Sequence, residues 1–138
     1  MRRKKYSDSQ QLLPVRLRNR DPKITFSKNG TILFNSPASK LLKLKKGTKI
    51  SFALNDTVPH DWFVFIDQEN GFELHVGSDK ETIFFSHRRL IRAFLGCYTG
   101  LREKITYKFI IDEDPVTIVE TKTKLWRILV EPKSADSS

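Results

Sequence analysis

At 138 residues the chain has the length of one domain, and with 38% hydrophobic and 30% charged residues it has both a core to bury and a well-solvated surface. Its 25 Lys and Arg against 16 Asp and Glu leave a formal charge of +9, a balance that favours anionic partners such as nucleic acid. The single cysteine, Cys97, excludes an internal disulfide framework and a Cys-rich zinc site. No apolar run reaches the roughly 18 residues of a membrane span, and no apolar stretch follows Met1-Arg2-Arg3-Lys4-Lys5. No signal peptide or membrane partner is therefore expected, and a reducing, cytoplasmic setting is.

The charge is uneven. Nine of the basic residues precede position 29, against only Asp8 and Asp21, so most of the excess belongs to the first segment. Residues 1–22 read as a basic, flexible arm. In Pro14-Val15-Arg16-Leu17-Arg18-Asn19-Arg20 the arginines alternate with other residues, so an extended chain would show Arg16, Arg18 and Arg20 on one face. Such an arm either lies on phosphates or keeps the protein soluble.

From Ile24 to Phe34 the pattern is a hairpin around Asn29-Gly30, the pair that suits a two-residue type I′ turn. Lys28 is then expected opposite Thr31, and Phe26 opposite Leu33. Ser36 as N-cap and Pro37 at the first helical position begin a short helix with Ala38, Leu41 and Leu42 on one face; Gly47 reads as its left-handed stop. Thr48–Leu54 and His60–Ile66 are strands. In the second, Trp62, Val64 and Ile66 share a face opposite Phe63 and Phe65. That strand is either buried on both faces or presents a binding face. After Asn70-Gly71, Phe72–Val76 and Thr82–Phe85 pair. Ser86 caps a second helix reaching about Tyr98, with Leu90, Ile91, Phe94 and Leu95 as its apolar stripe and Arg88, Arg89 and Arg92 off it. Ile105–Ile111, a short Val116–Val119 and Lys124–Val130 complete the strands, and residues 132–138 form a disordered tail.

The halves look alike. Gly30-Thr31-Ile32-Leu33-Phe34-Asn35-Ser36 matches Glu81-Thr82-Ile83-Phe84-Phe85-Ser86-His87. Lys49-Ile50-Ser51-Phe52 matches Lys104-Ile105-Thr106-Tyr107, and Asp61–Ile66 matches Leu125–Val130. The expected fold is α+β: one strand-rich domain over 23–131 made of two pseudo-symmetric ββαββ repeats, 23–70 and 71–131, with two short helices. Such a chain is either a pseudo-dimeric monomer or a homodimer.

Gly30 to Phe52 resembles the swapped-hairpin DNA-binding domain of the AbrB/SpoVT and antitoxin family. A Gly-x-Ile strand leads to a short helix with a Leu near its end, then a glycine and a returning strand. The gap-free match covers 23 of 138 residues, on Gly30, Ile32, Leu42, Lys45, Gly47 and Ile50. The departures are Thr31 for the usual arginine, Asn35 for the usual proline, and Lys40 as the sole helix charge kept in this half, with Arg92 at the comparable place in the second. The resemblance implies a small DNA-binding transcription regulator in which two repeats replace the two chains of a dimer. A duplicated sheet-and-helix unit is also similar in outline to the Pur and Whirly single-strand binders.

Phosphate contacts supply most nucleic-acid affinity. The candidates for them are Arg16, Arg18, Arg20, Lys28, Lys40, Lys43, Lys45, Lys46, Arg88, Arg89 and Arg92. Each alone is a solvated charge; as a set they point to nucleic acid, with DNA expected before RNA. The strand aromatics are either core or a stacking face for single-stranded bases. His60, His75 and His87 are scattered and Cys97 has no base partner in the sequence, so no enzyme, metal or cofactor is expected. A structural or protein-interaction module is the alternative reading.

Overall fold

A computed structural model describes residues 21–55, 60–98 and 100–130. The expected tail, and all of the expected arm except Asp21 and Pro22, lie outside these. Strands β1 (Lys23–Phe26) and β2 (Thr31–Phe34) form a hairpin that leads into α1 (Ser36–Leu42). A second hairpin joins β3 (Lys49–Asn55) to β4 (Asp61–Ile66). Then come β5 (Phe72–Glu73), β6 (His75–Val76), β7 (Ile83–Ser86), α2 (Arg88–Gly96), β8 (Tyr107–Ile111), β9 (Val116–Ile118) and β10 (Thr123–Leu129).

The ten strands make one antiparallel sheet in the order β5-β3-β4-β10-β8-β1-β2-β7-β6, with β9 on the far half of β10. The two edge strands, β5 and β6, are separated in the chain only by Leu74. Leu74 is fully buried; its N–H donates to the Thr48 carbonyl at 2.8 Å, and its carbonyl accepts from the Gly47 N–H at 3.0 Å. The sheet thus nearly closes on itself as a barrel, which leaves little open edge for other chains to pair with.

This corrects the α+β expectation. Strands hold 42% of the described residues and helices 15%, and the helices, seven and nine residues long, build no layer of their own. Nor do two ββαββ units stand side by side. The hairpin β1–β2 is separated from β3–β4 by β10 and β8, so each half contributes strands on either side of the other and neither has a sheet of its own. The reason lies in the alternation. Ile24 and Phe26, Ile32 and Phe34, Trp62 and Val64, Ile83 and Phe85, and Trp126 and Ile128 are all buried at every second position. One continuous interior collects them, and each side chain removed from water contributes about 1.5–3 kcal/mol.

The first hairpin differs from expectation by one residue. Phe26 opposes Ile32, not Leu33. Among the turn residues only Gly30 has positive φ, at 92°, and the Ser27 N–H donates to the Thr31 carbonyl. The connection is therefore a three-residue loop with a glycine bulge rather than a two-residue type I′ turn. Burial enforces this register: residues directly opposite one another share a face, and Phe26 and Ile32 must both point inward.

The helix ends also move. Asn35, not Ser36, caps α1, its Oδ1 accepting from the Ala38 N–H at 3.0 Å. The left-handed stop is Lys43, at φ 59°, rather than Gly47. His87, not Ser86, caps α2 through Nδ1, which accepts from the Leu90 N–H at 3.1 Å, and the helix ends at Gly96. Residues 102–105 form a turn and β8 begins at Tyr107, so the proposed match of 49–52 with 104–107 does not hold.

Candidate nucleic-acid interface

The two helices start from opposite ends of one ladder. In the β2–β7 pair Phe34 faces Ile83 and Thr31 faces Ser86. Because α1 follows Phe34 and α2 follows Ser86, their basic residues sit at opposite ends of the barrel. The expected patches Lys40–Lys49 and Arg88–Arg92 therefore do not share a face.

At the α2 end the cations are largely engaged. Arg88 reaches across to the first hairpin, where its Nη2 donates to the Asn29 carbonyl at 3.0 Å. A Cβ placed on Gly30 would lie 3.1 Å from that guanidinium. Arg92 pairs with Glu103 at 2.6 Å, although the arginine side chain is 59% exposed, so the pair is worth under about 1 kcal/mol. Lys28 is exposed at the clamped turn, its backbone N–H bonded to Thr106 Oγ1. Arg89 is exposed and carries no partner among the described residues. The His87 ring, already holding the helix cap, sits edge-on to Phe72 at 4.8 Å. Phe94 closes this end of the barrel against Phe26, Phe109 and Trp62, with ring centres 4.4, 5.3 and 5.4 Å away.

At the α1 end Lys40, Lys43, Lys45 and Lys46 are exposed, and none forms an ion pair among the described residues. Thr48, buried beneath them, accepts from the Lys45 N–H at 3.1 Å and fixes that loop. Asn35 does more than cap the helix. Its Oδ1 also accepts from the Lys23 N–H at 2.9 Å, and its Nδ2 donates to the Asp21 carbonyl at 2.9 Å. The basic N-terminal segment therefore joins the body beside α1. Arg16, Arg18 and Arg20 themselves lie outside the described residues.

The same end holds a half-open cleft of about 410 Å³ lined by Leu41, Leu42, Ile66 and Trp126, with Lys43, Lys124, Thr48 and Gln68 around it. Lys124 and Gln68 were not among the expected binding residues, whereas Trp126 was one of the strand aromatics expected as either core or a stacking face. The available signal was parity, since Lys124 is two residues from Trp126 and so takes the same strand face.

The acidic and aromatic groups are mostly accounted for by structure. Arg127 sits between Asp112 and Asp61 at 3.8 and 4.0 Å. Asp67 is held below the usual carboxylate range by the Asn70 N–H and the Ser51 hydroxyl. The Tyr98 hydroxyl, pushed up to about 12 chiefly by burial, donates to the His60 carbonyl at 3.2 Å. His75 lies against Phe84 on β6, on a strand not adjacent to β4, so it does not join His60 and Asp61. Among the described residues no group of three His, Cys, Asp or Glu side chains could hold a metal ion, and no helix is long and apolar enough to cross a membrane. Trp62, Phe85 and Trp126 are core, whereas Phe63 and Phe65 lie half-buried on the outer wall. No family model, curated protein or solved structure matches the chain.

Proposed function

We propose that the chain is a non-enzymatic nucleic-acid-binding protein whose α1 end holds the phosphate backbone. The supporting observation is that the basic N-terminal segment joins the barrel at Asn35, beside four exposed lysines with no ion-pair partner among the described residues. A DNA-binding regulator in a reducing cytoplasm is the finer form of this reading, in keeping with the free thiol of Cys97. The α2 cations become accessory groups, because two of the three helix arginines serve internal contacts. The test is fluorescence anisotropy with labelled duplex and single strands at about 50 and 200 mM salt. Each neutralised phosphate adds about −0.9 to the log–log salt slope on duplex DNA. Deleting residues 1–20 should weaken binding and flatten that slope. No binding of either nucleic acid at the lower salt sinks the proposal.

One observation favours a second reading, a protein-interaction module. Among the described residues strand β9 pairs only with β10, and Val116, Ile118 and Val119 are exposed at 50%, 37% and 83%. A short edge strand with apolar side chains in water invites a partner. Capture of a defined protein that survives nuclease treatment, and that Val116→Lys abolishes, would decide for it.

A further inference from the structure

We infer that the α1-end cleft seats one unstacked base of a single-stranded nucleic acid, with Lys43 and Lys124 on the flanking phosphates. The inference rests on the nucleic-acid reading above and names its substrate class.

Three observations carry it. The first is shape: about 410 Å³, half open, is ample for one base and part of its sugar, and a base must leave the duplex stack to be seated in a cleft. The second is the floor, where Leu41, Leu42, Ile66 and Trp126 offer apolar surface to a flat ring.

The third is the polar complement, which is richer in donors than in acceptors. The Thr48 oxygen already accepts from the Lys45 N–H, and the Gln68 oxygen accepts from the Lys49 N–H at 2.8 Å. Each of these oxygens thus has one of its two lone pairs taken, whereas the Thr48 hydroxyl hydrogen, the Gln68 amide hydrogens and two ammonium groups stay available. The indole N–H of Trp126, a residue 9% exposed, is buried and has no acceptor among the described residues. A donor-rich, cationic rim over an apolar floor favours a ligand that is flat, carries carbonyl acceptors and is anionic. A carbonyl-bearing base on its phosphate chain has that chemistry. It also fits the exposed lysines that are chain neighbours of the cleft residues Leu41, Lys43 and Thr48, namely Lys40, Lys45 and Lys46, which could neutralise further phosphates.

The test compares three labelled probes on the full chain at about 50 mM salt: a 12-residue oligothymidine, an abasic strand of the same length and charge, and a 12-base-pair duplex. The expected result is that oligothymidine binds roughly tenfold more tightly than the abasic strand, within the range for one seated base. The charge-neutral substitution Leu41→Gln should remove that advantage while leaving the duplex affinity and the salt slope unchanged. If Leu41→Gln does not fold, Gln68→Trp, which fills the cleft from an exposed position, reads the same quantity. Equal affinity for oligothymidine and the abasic strand, or a base preference untouched by both variants, overturns the inference and leaves the nucleic-acid reading standing. Binding of none of the three probes removes that reading itself.

Discussion

The two ends of the barrel are built from the same parts, a hairpin turn and a short capped helix with lysines or arginines, yet they use them differently. At the α2 end the helix is a plug and a clamp. Phe94 fills the barrel mouth, Arg88 holds the neighbouring turn, Arg92 pairs with Glu103, and His87 holds its own helix start. At the α1 end the helix start is capped by an amide that also fastens the incoming chain, and the lysines face water. Sequence counts cations without saying which are engaged. What separates a binding surface from a structural one here is whether the charge already has an internal acceptor.

The sharpest way to break that contrast is through packing. Phe94→Ala should cost about 3–5 kcal/mol, the usual range for emptying a buried aromatic site, because the ring is 1% exposed and touches four other rings. Leu42→Ala at the other end borders a cleft already open to solvent and should cost less, about 2–3 kcal/mol. Urea unfolding measures both. Equal losses would mean that the α1 end is as tightly plugged as the α2 end.

Charge gives the second test. Replacing Lys40, Lys43 and Lys46 together by glutamine should reduce the salt slope of nucleic-acid binding by about 0.9 for each phosphate that is no longer neutralised. Replacing Arg88, Arg89 and Arg92 should reduce it much less and should lower stability instead, because the turn is no longer clamped. A slope that responds only to the arginines would invert the assignment of the two ends.

Asn35 should come next in magnitude. Its side chain satisfies the Ala38 N–H and the Lys23 N–H and donates to the Asp21 carbonyl. Loss of a helix cap costs about 1 kcal/mol on its own, so Asn35→Ala should cost about 2 kcal/mol. His87→Ala, which removes a cap and the edge contact with Phe72 but no tether to the incoming chain, should cost less, about 1–1.5 kcal/mol. Thermal unfolding compares the two, and equal shifts would show that the tether to the incoming chain contributes no more than the ring contact of His87 with Phe72.

Much of this was legible in local pattern. Alternation placed Trp62 and Val64 on one face and Phe63 and Phe65 on the other, and Asn29-Gly30 marked a turn. The lysines of the α1 end were visible because they are close neighbours in the chain. The barrel was not legible, because its defining pairs, β2 with β7, β1 with β8 and β4 with β10, join residues far apart in sequence. The hairpin register also escaped, since Asn-Gly tolerates either a two- or a three-residue loop and only the buried face chooses. The use of Arg88 was hidden for the same reason: its acceptor, the Asn29 carbonyl, is 59 residues away. At the cleft, Lys124 and Gln68 are brought to Leu41 only by closure of the sheet.

The smallest effect concerns the turns rather than the helices. The β1–β2 turn is held from outside by Arg88, whereas the β6–β7 turn at the α1 end is held by its own Asp79. The Asp79 carboxylate accepts from the Thr82 N–H at 2.9 Å, the Thr82 hydroxyl at 2.7 Å and the Glu81 N–H at 2.9 Å. These bonds, the Thr82 N–H foremost, pull its pKa from 3.8 down to about 2. A carboxyl whose folded pKa is depressed adds stability above its unfolded value and loses it as pH falls through the folded one. The β6–β7 turn should therefore be fully held above about pH 4 and loosen between about 4 and 2, while the turn under Arg88, an always-charged group, keeps its clamp through that window. Amide exchange at Glu81 and Thr82, against that at Gly30, reads the difference, and Asp79→Asn should free the first pair at neutral pH. An Asp79 titration midpoint near 3.8 would show that the turn is shaped by its backbone and not by the carboxylate.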